Sequence, residues 1–419
     1  MTNNTNQTKK THADVFIAGG GPVGLMLAIG LSQQGKKVVL AERYLPEEND
    51  LSDVKNSFDG RVLAISKGSQ VFLQNIGVWS DLQKITTPIE HVHVSQKGYM
   101  GITTLHAEEV DVDALGFSVQ SSDLGTVLWK WAKTSKNITL LCPAVVENFV
   151  QTDESVEITV KINSEQEYQN DSQKDIENHN YQIISAQVVI GADGTQSKVR
   201  EILGLAIEEK SYDAFGILAQ IETEQHPHGW AYERFTKDGP VALLPMHGHA
   251  HKAVLVCPKD QVDHIMGLDD ENYLALFASK MGERLGRFVK VSPRIAYPLK
   301  ETYVPQMTKG RAVLMGNASH TQHPVAAQGL NLGIRDIEVF LKGSLQQTDL
   351  GDQTWLNEYA SQREVDHQKV MGLTDGLIQI FQHSSPVVGH LRGVGLMAMQ
   401  AMPGLKRRFS KFAMRGRQV

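Results

Sequence analysis

Six residues near the start constrain this chain more than any others: Gly19-Gly20-Gly21-Pro22-Val23-Gly24, a GxGxxG turn. An apolar run of strand type, residues 14–18, precedes it, and residues 22–34 read as a helix stopped by Gly35. Val38, Val39 and Leu40 form the next strand, which ends at Glu42. Strand, glycine turn, helix and strand within about 30 residues make a βαβ unit, whose parallel strands are normally buried. The glycines allow a sharp turn and let a pyrophosphate approach the helix N-terminus, where free N–H groups and the dipole favour anions. Glu42 falls where an acid can accept hydrogen bonds from ribose hydroxyls. Gly19, Gly21, Gly24 and Glu42 are therefore expected to form a dinucleotide site.

Two later segments follow apolar strands in the same way. Gly191-Ala192-Asp193-Gly194, with Ser197 and Arg200 beyond it, comes directly after Val188-Val189-Ile190. Gly316-Asn317-Ala318-Ser319-His320 follows Ala312-Val313-Leu314-Met315 and runs on to His323-Pro324-Val325-Ala326-Ala327-Gln328-Gly329-Leu330-Asn331. Small residues packed this densely let backbone lie against a flat ring system, and a helix starting near Gly329 could present N–H groups to it. No paired-carboxylate or Ser-His-Asp pattern is evident. The alternating histidines of Met246-His247-Gly248-His249-Ala250-His251 read as a hairpin turn rather than a metal site, because Gly248 sits between two expected strands.

In this order the three segments resemble the class-A FAD-dependent aromatic hydroxylases, over roughly residues 13–385. Within that superfamily the chain is most similar to the ubiquinone-biosynthesis hydroxylases. The resemblance implies an α/β fold of the p-hydroxybenzoate hydroxylase type: a Rossmann-like FAD-binding domain, an inserted β-sheet substrate domain and a helical C-terminal region. It divides the chain into FAD-binding segments at 13–90, 119–211 and 306–345, substrate-domain segments at 91–118 and 212–305, and a helical region at 346–419.

By the same resemblance, Gly19, Gly21 and Gly24 hold the FAD pyrophosphate and Glu42 the adenosine ribose, with Arg43 and Arg61 near the cofactor. Asp193 serves both FAD and NAD(P)H, and Asn317 stands where the family has an aspartate at the ribityl chain. Gln328, Gly329, Leu330 and Asn331 run beside the isoalloxazine ring. Ala327 replaces a family glycine, and its methyl would push the backbone away if that position needs positive φ. The implied reaction uses NAD(P)H and O2 to hydroxylate the ring of a polyprenylated phenol through a flavin C4a-hydroperoxide. The pattern GNA…T-x-HP points to the branch acting on 2-polyprenyl-6-methoxyphenol. His323 and Pro324 are the catalytic candidates, His323 either contacting the phenol or simply packing locally.

Charge and composition bound the rest. A net charge of -6 gives no reason to expect nucleic acid as a partner. Cys142 and Cys257 stand outside any CxxC motif, so neither a disulfide framework nor a metal site is expected. With no apolar leader and no long apolar span, the chain is expected in the cytoplasm. After Asp375 no acid occurs, while Arg392, Lys406, Arg407, Arg408, Lys411, Arg415 and Arg417 do. That basic, Met-rich end suggests contact with the inner face of a membrane, or with a ubiquinone-biosynthesis complex, against the alternative of a packed helix with a solvated tail. Two other readings stay open here: hydroxylation of another ubiquinone precursor or a small soluble aromatic, and a flavin-binding scaffold without turnover.

Overall fold

The computed structural model describes residues 11–44, 62–162, 180–322, 329–382 and 385–415. Arg61, His323, Pro324, Ala327 and Gln328 lie outside the described residues.

The N-terminal βαβ unit forms from Val15–Ala18, Pro22–Gln33 and Val38–Ala41, and every residue of both strands is buried. These strands lie inside a six-stranded sheet ordered 308–309, 312–314, 188–191, 15–18, 38–41, 138–141. All neighbours in it pair in parallel except the first two strands, which are antiparallel. Continuous apolar sequence suits such strands because both faces are covered. On one face lie the Pro22–Gln33, Ser121–Thr134 and Gly329–Ser344 helices, whose side chains share a core with Leu25, Leu40, Ile190 and Val313. On the other, Phe16, Val39, Val189 and Leu314 pack against a sheet containing Ala144–Gln151, Val156–Ile162 and Asn180–Ala186.

Gly30 fixes how close the flanking helices come. A methyl there would lie 2.4 Å from Leu341 Cδ1, so a larger residue would force the Leu341 side chain to move.

A second, nine-stranded sheet runs mostly antiparallel. Its spine is Glu208–Thr223, a 16-residue strand that pairs with Ala250–Pro258, Phe288–Val291 and Ile295–Tyr303. Gly239–Pro245 and Ala250–Pro258 form the hairpin expected around His247–His251. One face of this sheet packs Leu243, Ala253 and Leu255 against Tyr273 and Phe277 of the Asp270–Met281 helix. The alternation of the strands turns the opposite face, with Val94, Ala242, Val254 and Lys252, toward the first sheet's side of the molecule. Lys252 Nζ accordingly reaches the carbonyl of Val62, and Ser118 Oγ reaches that of Pro245.

Four helices finish the chain: Gly329–Ser344, Gln353–Gln382, Pro386–Ala401 and Pro403–Arg415. None is long and apolar enough to cross a membrane among the described residues.

Candidate active site

The strands that precede the three glycine-rich segments are immediate neighbours, 312–314 beside 188–191 beside 15–18. All three segments therefore leave the sheet at its C-terminal edge, where ligands bind in open α/β sheets.

The first turn fits a pyrophosphate by its geometry. Gly19 has φ +106, and a methyl there would strike the Ala192 carbonyl at 2.4 Å. A methyl on Gly24 would lie 2.0 Å from Gly19 O, so the turn closes only with glycine at both ends. Gly21 is the N-cap of the Pro22–Gln33 helix and has nothing within 4 Å of where its Cβ would be. That open side, at a helix N-terminus with no side-chain cap, is the space an anionic group needs.

Glu42 is buried, and its carboxylate accepts from the N–H of Gly20 and, at 2.9 Å, from that of Tyr44. Burial pushes its carboxyl up, and those backbone donors pull it back down. Arg43 beside it is exposed.

Asp193 is tied down on one oxygen only. Its Oδ2 accepts from the N–H groups of Lys198 (2.7 Å) and Val199 (3.2 Å), while its buried Oδ1 has no partner among the described residues. A buried acceptor without a donor is costly, so this oxygen fits a hydroxyl-bearing ligand. Arg200 joins the second and third segments, donating to the carbonyls of Ala318 (2.9 Å) and Thr195 (2.6 Å). Gly316 has φ +56 and packs beside Val23 of the first turn, and Asn317 is exposed next to it.

Two of the ring-segment candidates are described with their side chains. Leu330 is part-buried and packs into the main core. The Asn331 side chain is buried, its oxygen accepting from Ser66 N–H (2.8 Å) and its amide donating to the Ala64 carbonyl (2.9 Å). It locks the Val62–Ser66 strand to the helix start.

Sequence reasoning passed over a buried ionic cluster behind the Gly316 turn. Asp336 Oδ1 accepts from Arg363 Nε (2.7 Å) and His367 Nε2 (2.8 Å), and Oδ2 accepts from Gly316 N–H (3.3 Å). His320 Nδ1 meets Ser319 Oγ at 2.8 Å and lies 3.8 Å from Asp336 Oδ2. Burial opposes ionisation of Asp336, yet His367 and Arg363 hold its carboxyl far below the usual range. Burial, with His367 adding to it, pushes His320 down to about 3, so it is neutral. One His, one Asp and one His converge here at metal-ligand spacing, but Arg363 already supplies the cation on the shared Asp336 oxygen. The available signal was an acid on the apolar face of a helix, between Leu332 and Ile337, where an unpaired charge would be prohibitive.

A second residue was also missed. Glu233 lies in Trp230–Thr236, between the strands carrying Val94 and Ala242, on the sheet face opposite the Asp270–Met281 helix. It is surrounded by protein and keeps only part of its surface accessible. Burial alone pushes its carboxyl up to about 8. Its trace in the sequence was an acid between Ala231 and Phe235 on one face of an alternating strand.

Comparison with known proteins agrees with this architecture. The model of a family described as an FAD binding domain matches residues 12–374. The ubiquinone hydroxylase UbiL of Rhodospirillum rubrum is 30% identical over 407 residues, which cover 96% of this chain and 89% of that protein. The 3-demethoxyubiquinol 3-hydroxylase of Escherichia coli is 27% identical over 406 residues, covering 96% and 98%. Among solved structures, the p-nitrophenol 4-monooxygenase PnpA of Pseudomonas putida shares the fold, with a TM-score of 0.76 at 17% identity over 98% of this chain and all of that one. With a glycine turn shaped for a pyrophosphate, its two companion segments gathered at one sheet edge and relatives matching end to end, the chain belongs to the class-A FAD-dependent hydroxylases of the ubiquinone-biosynthesis type and is a flavoprotein monooxygenase.

Proposed function

We propose that this enzyme hydroxylates the aromatic ring of a polyprenylated phenol on the route to ubiquinone, and that its substrate is 2-polyprenyl-6-methoxyphenol. The feature that supports the reading is the sheet face carrying Glu233, where one acid stands among Val94, Ala242 and Val254, with Lys252 further along the same face reaching the Val62 carbonyl. A largely apolar face bearing an acid suits a greasy phenol better than a soluble aromatic acid, whose carboxylate that acid would repel.

FAD reduced by NAD(P)H would supply the activation of O2. The chain's own contribution is binding, orientation and proton handling. The Gly19–Gly24 turn and the helix it opens would hold the pyrophosphate. Glu42 would take the adenosine ribose, and the free Asp193 Oδ1 a hydroxyl of the cofactor. Glu233 would accept the phenol proton as the ring becomes electron-rich, a task suited to a group poised near neutral pH. His323 and Pro324 remain the candidates on the ring side from the sequence.

Deleting the gene and identifying what accumulates tests the substrate. Accumulation of 2-polyprenyl-6-methoxyphenol, relieved by the wild-type gene, is expected. Accumulation of another quinone precursor reassigns the ring position, and an unchanged quinone profile overturns the reading.

A further inference from the structure

Three histidines from two separate connections gather at one end of the nine-stranded sheet. His226 and His228 lie between the Glu208–Thr223 and Trp230–Thr236 strands, and His249 lies in the turn that enters Ala250–Pro258. The two connections are clamped together. Thr223 N–H donates to the His249 carbonyl (3.0 Å), and His249 Nδ1 in turn meets the Thr223 carbonyl (3.1 Å). The His226 ring then stands 5.6 Å from that of His249 and 4.6 Å from that of His228, between centroids. All three side chains are exposed.

Backbone of an uncommon kind brings the first pair together. His228 has φ +44 and Gly229 φ +72, and Trp230 N–H closes the turn on the Pro227 carbonyl (2.9 Å). Few residues with a side chain adopt the left-handed region. Here it folds the chain back so that the His228 ring lies beside one only two positions earlier.

Hydrogen bonding decides which nitrogens keep a lone pair. A carbonyl only accepts, so His249 donates from Nδ1 and its Nε2 is left unprotonated. Metal-bound histidines are held in this manner, with the second ring nitrogen donating to a backbone carbonyl. His226 carries its lone pair on Nδ1, which accepts the His228 N–H at 2.9 Å. His251, the next alternate position, is buried with its Nδ1 3.5 Å from Thr223 Oγ1, and stands outside the trio. Negative charge is close at hand, since a methyl on Gly229 would lie 2.9 Å from Glu90 Oε2.

The spacing suits a small divalent ion. On tetrahedral zinc, with Zn–N at about 2.0–2.1 Å, two bound imidazoles place their centroids about 5 Å apart, and the observed pairs fall on either side of that. Because the side chains are exposed, rotamer changes at the surface close them on one ion without disturbing the core. Neutral imidazole is a ligand for zinc and its neighbours in the transition series, and three of them leave a fourth position for water.

We propose that His226, His228 and His249 bind a divalent transition-metal ion of the zinc type. The hairpin expected around His247–His251 stands, and one of its histidines finds two partners in another connection.

The holoenzyme, freed of any affinity tag, is dialysed against Zn2+, and its zinc and flavin contents are measured. Wild type is expected to retain one zinc per flavin, and the double variant His226→Gln with His249→Gln none. His249→Gln alone should weaken zinc binding by at least about tenfold. His264→Gln removes an exposed histidine outside the trio and should bind as wild type does. Zinc should also raise the melting temperature of wild type and of His264→Gln while leaving the double variant unchanged. Flavin absorbance confirms folding of each protein. Wild type that retains no zinc overturns the proposal. So does zinc held equally by the double variant, which would place the metal elsewhere, as at the buried His320, Asp336 and His367.

Discussion

Replacing Glu233 with glutamine preserves the side chain's shape and removes its titration. Burial holds the Glu233 carboxyl at about 8, against an ordinary value of 4.5. Between those values the unfolded chain has released this proton while the folded chain still holds it. Stability therefore falls as pH rises through the window, by up to about 1.4 kcal/mol per pH unit. The whole crossing costs at most about 5 kcal/mol, and partial solvent access reduces that to roughly 2–3 kcal/mol. Glutamine carries no such penalty. Wild type should therefore lose about 2–3 °C of melting temperature relative to Glu233→Gln between pH 5 and pH 9. Scanning fluorimetry of the two holoenzymes across that range measures the gap. Turnover adds an independent reading: wild type should show an inflection near pH 8 that the glutamine variant lacks, with KM for NAD(P)H unchanged. A melting gap that stays flat from pH 5 to 9, with the same pH profile of turnover in both proteins, would refute the enclosed placement of Glu233 and its proton role together.

Two further substitutions probe the cofactor side. Gly24→Ala puts a methyl 2.0 Å from Gly19 O, so the purified protein should contain little flavin; a stoichiometric yellow protein would contradict the close-packed turn. Asp336→Asn strands the buried Arg363 guanidinium without its full counter-charge and should cost about 3–5 kcal/mol. Because the Asp336 carboxyl is held far below its ordinary range, its contribution is fully present above pH 4 and lost only in strong acid. The deficit of the asparagine variant should thus be constant from pH 5 to 8, with flavin released more readily as Gly316 loses its anionic acceptor. A deficit below about 1 kcal/mol would show that Arg363 is adequately neutralised by Asp366, 2.9 Å away.

The three glycine-rich segments were legible in the sequence because their chemistry is local. A sharp turn between a buried strand and a helix needs glycine at particular spacings, and that need is local for Gly24, which closes on Gly19 O, and for the positive φ of Gly19, although the Ala192 carbonyl that also presses on Gly19 comes from far along the chain. The alternation around His247–His251 announced its hairpin for the same reason. What joins the segments was not legible. Arg200 reaches Ala318 across 118 positions, and Asp336 finds Arg363 and His367 only because two helices pack side by side. Asn331, placed beside the ring by the family resemblance, has its side-chain oxygen held by a strand 265 positions earlier. Glu233 and the outer face of the Pro386–Ala401 helix depend on tertiary structure in a further sense. An acid on a strand gains a raised pKa, and a valine on a helix is left exposed, only once the fold decides which side water can reach. Sequence alone determined that a dinucleotide would be bound and that a glycine turn would join the first strand to its helix. Burial, a property of the assembled chain and of no single segment, decided which charges are neutralised, which proton is held and which apolar face is left exposed.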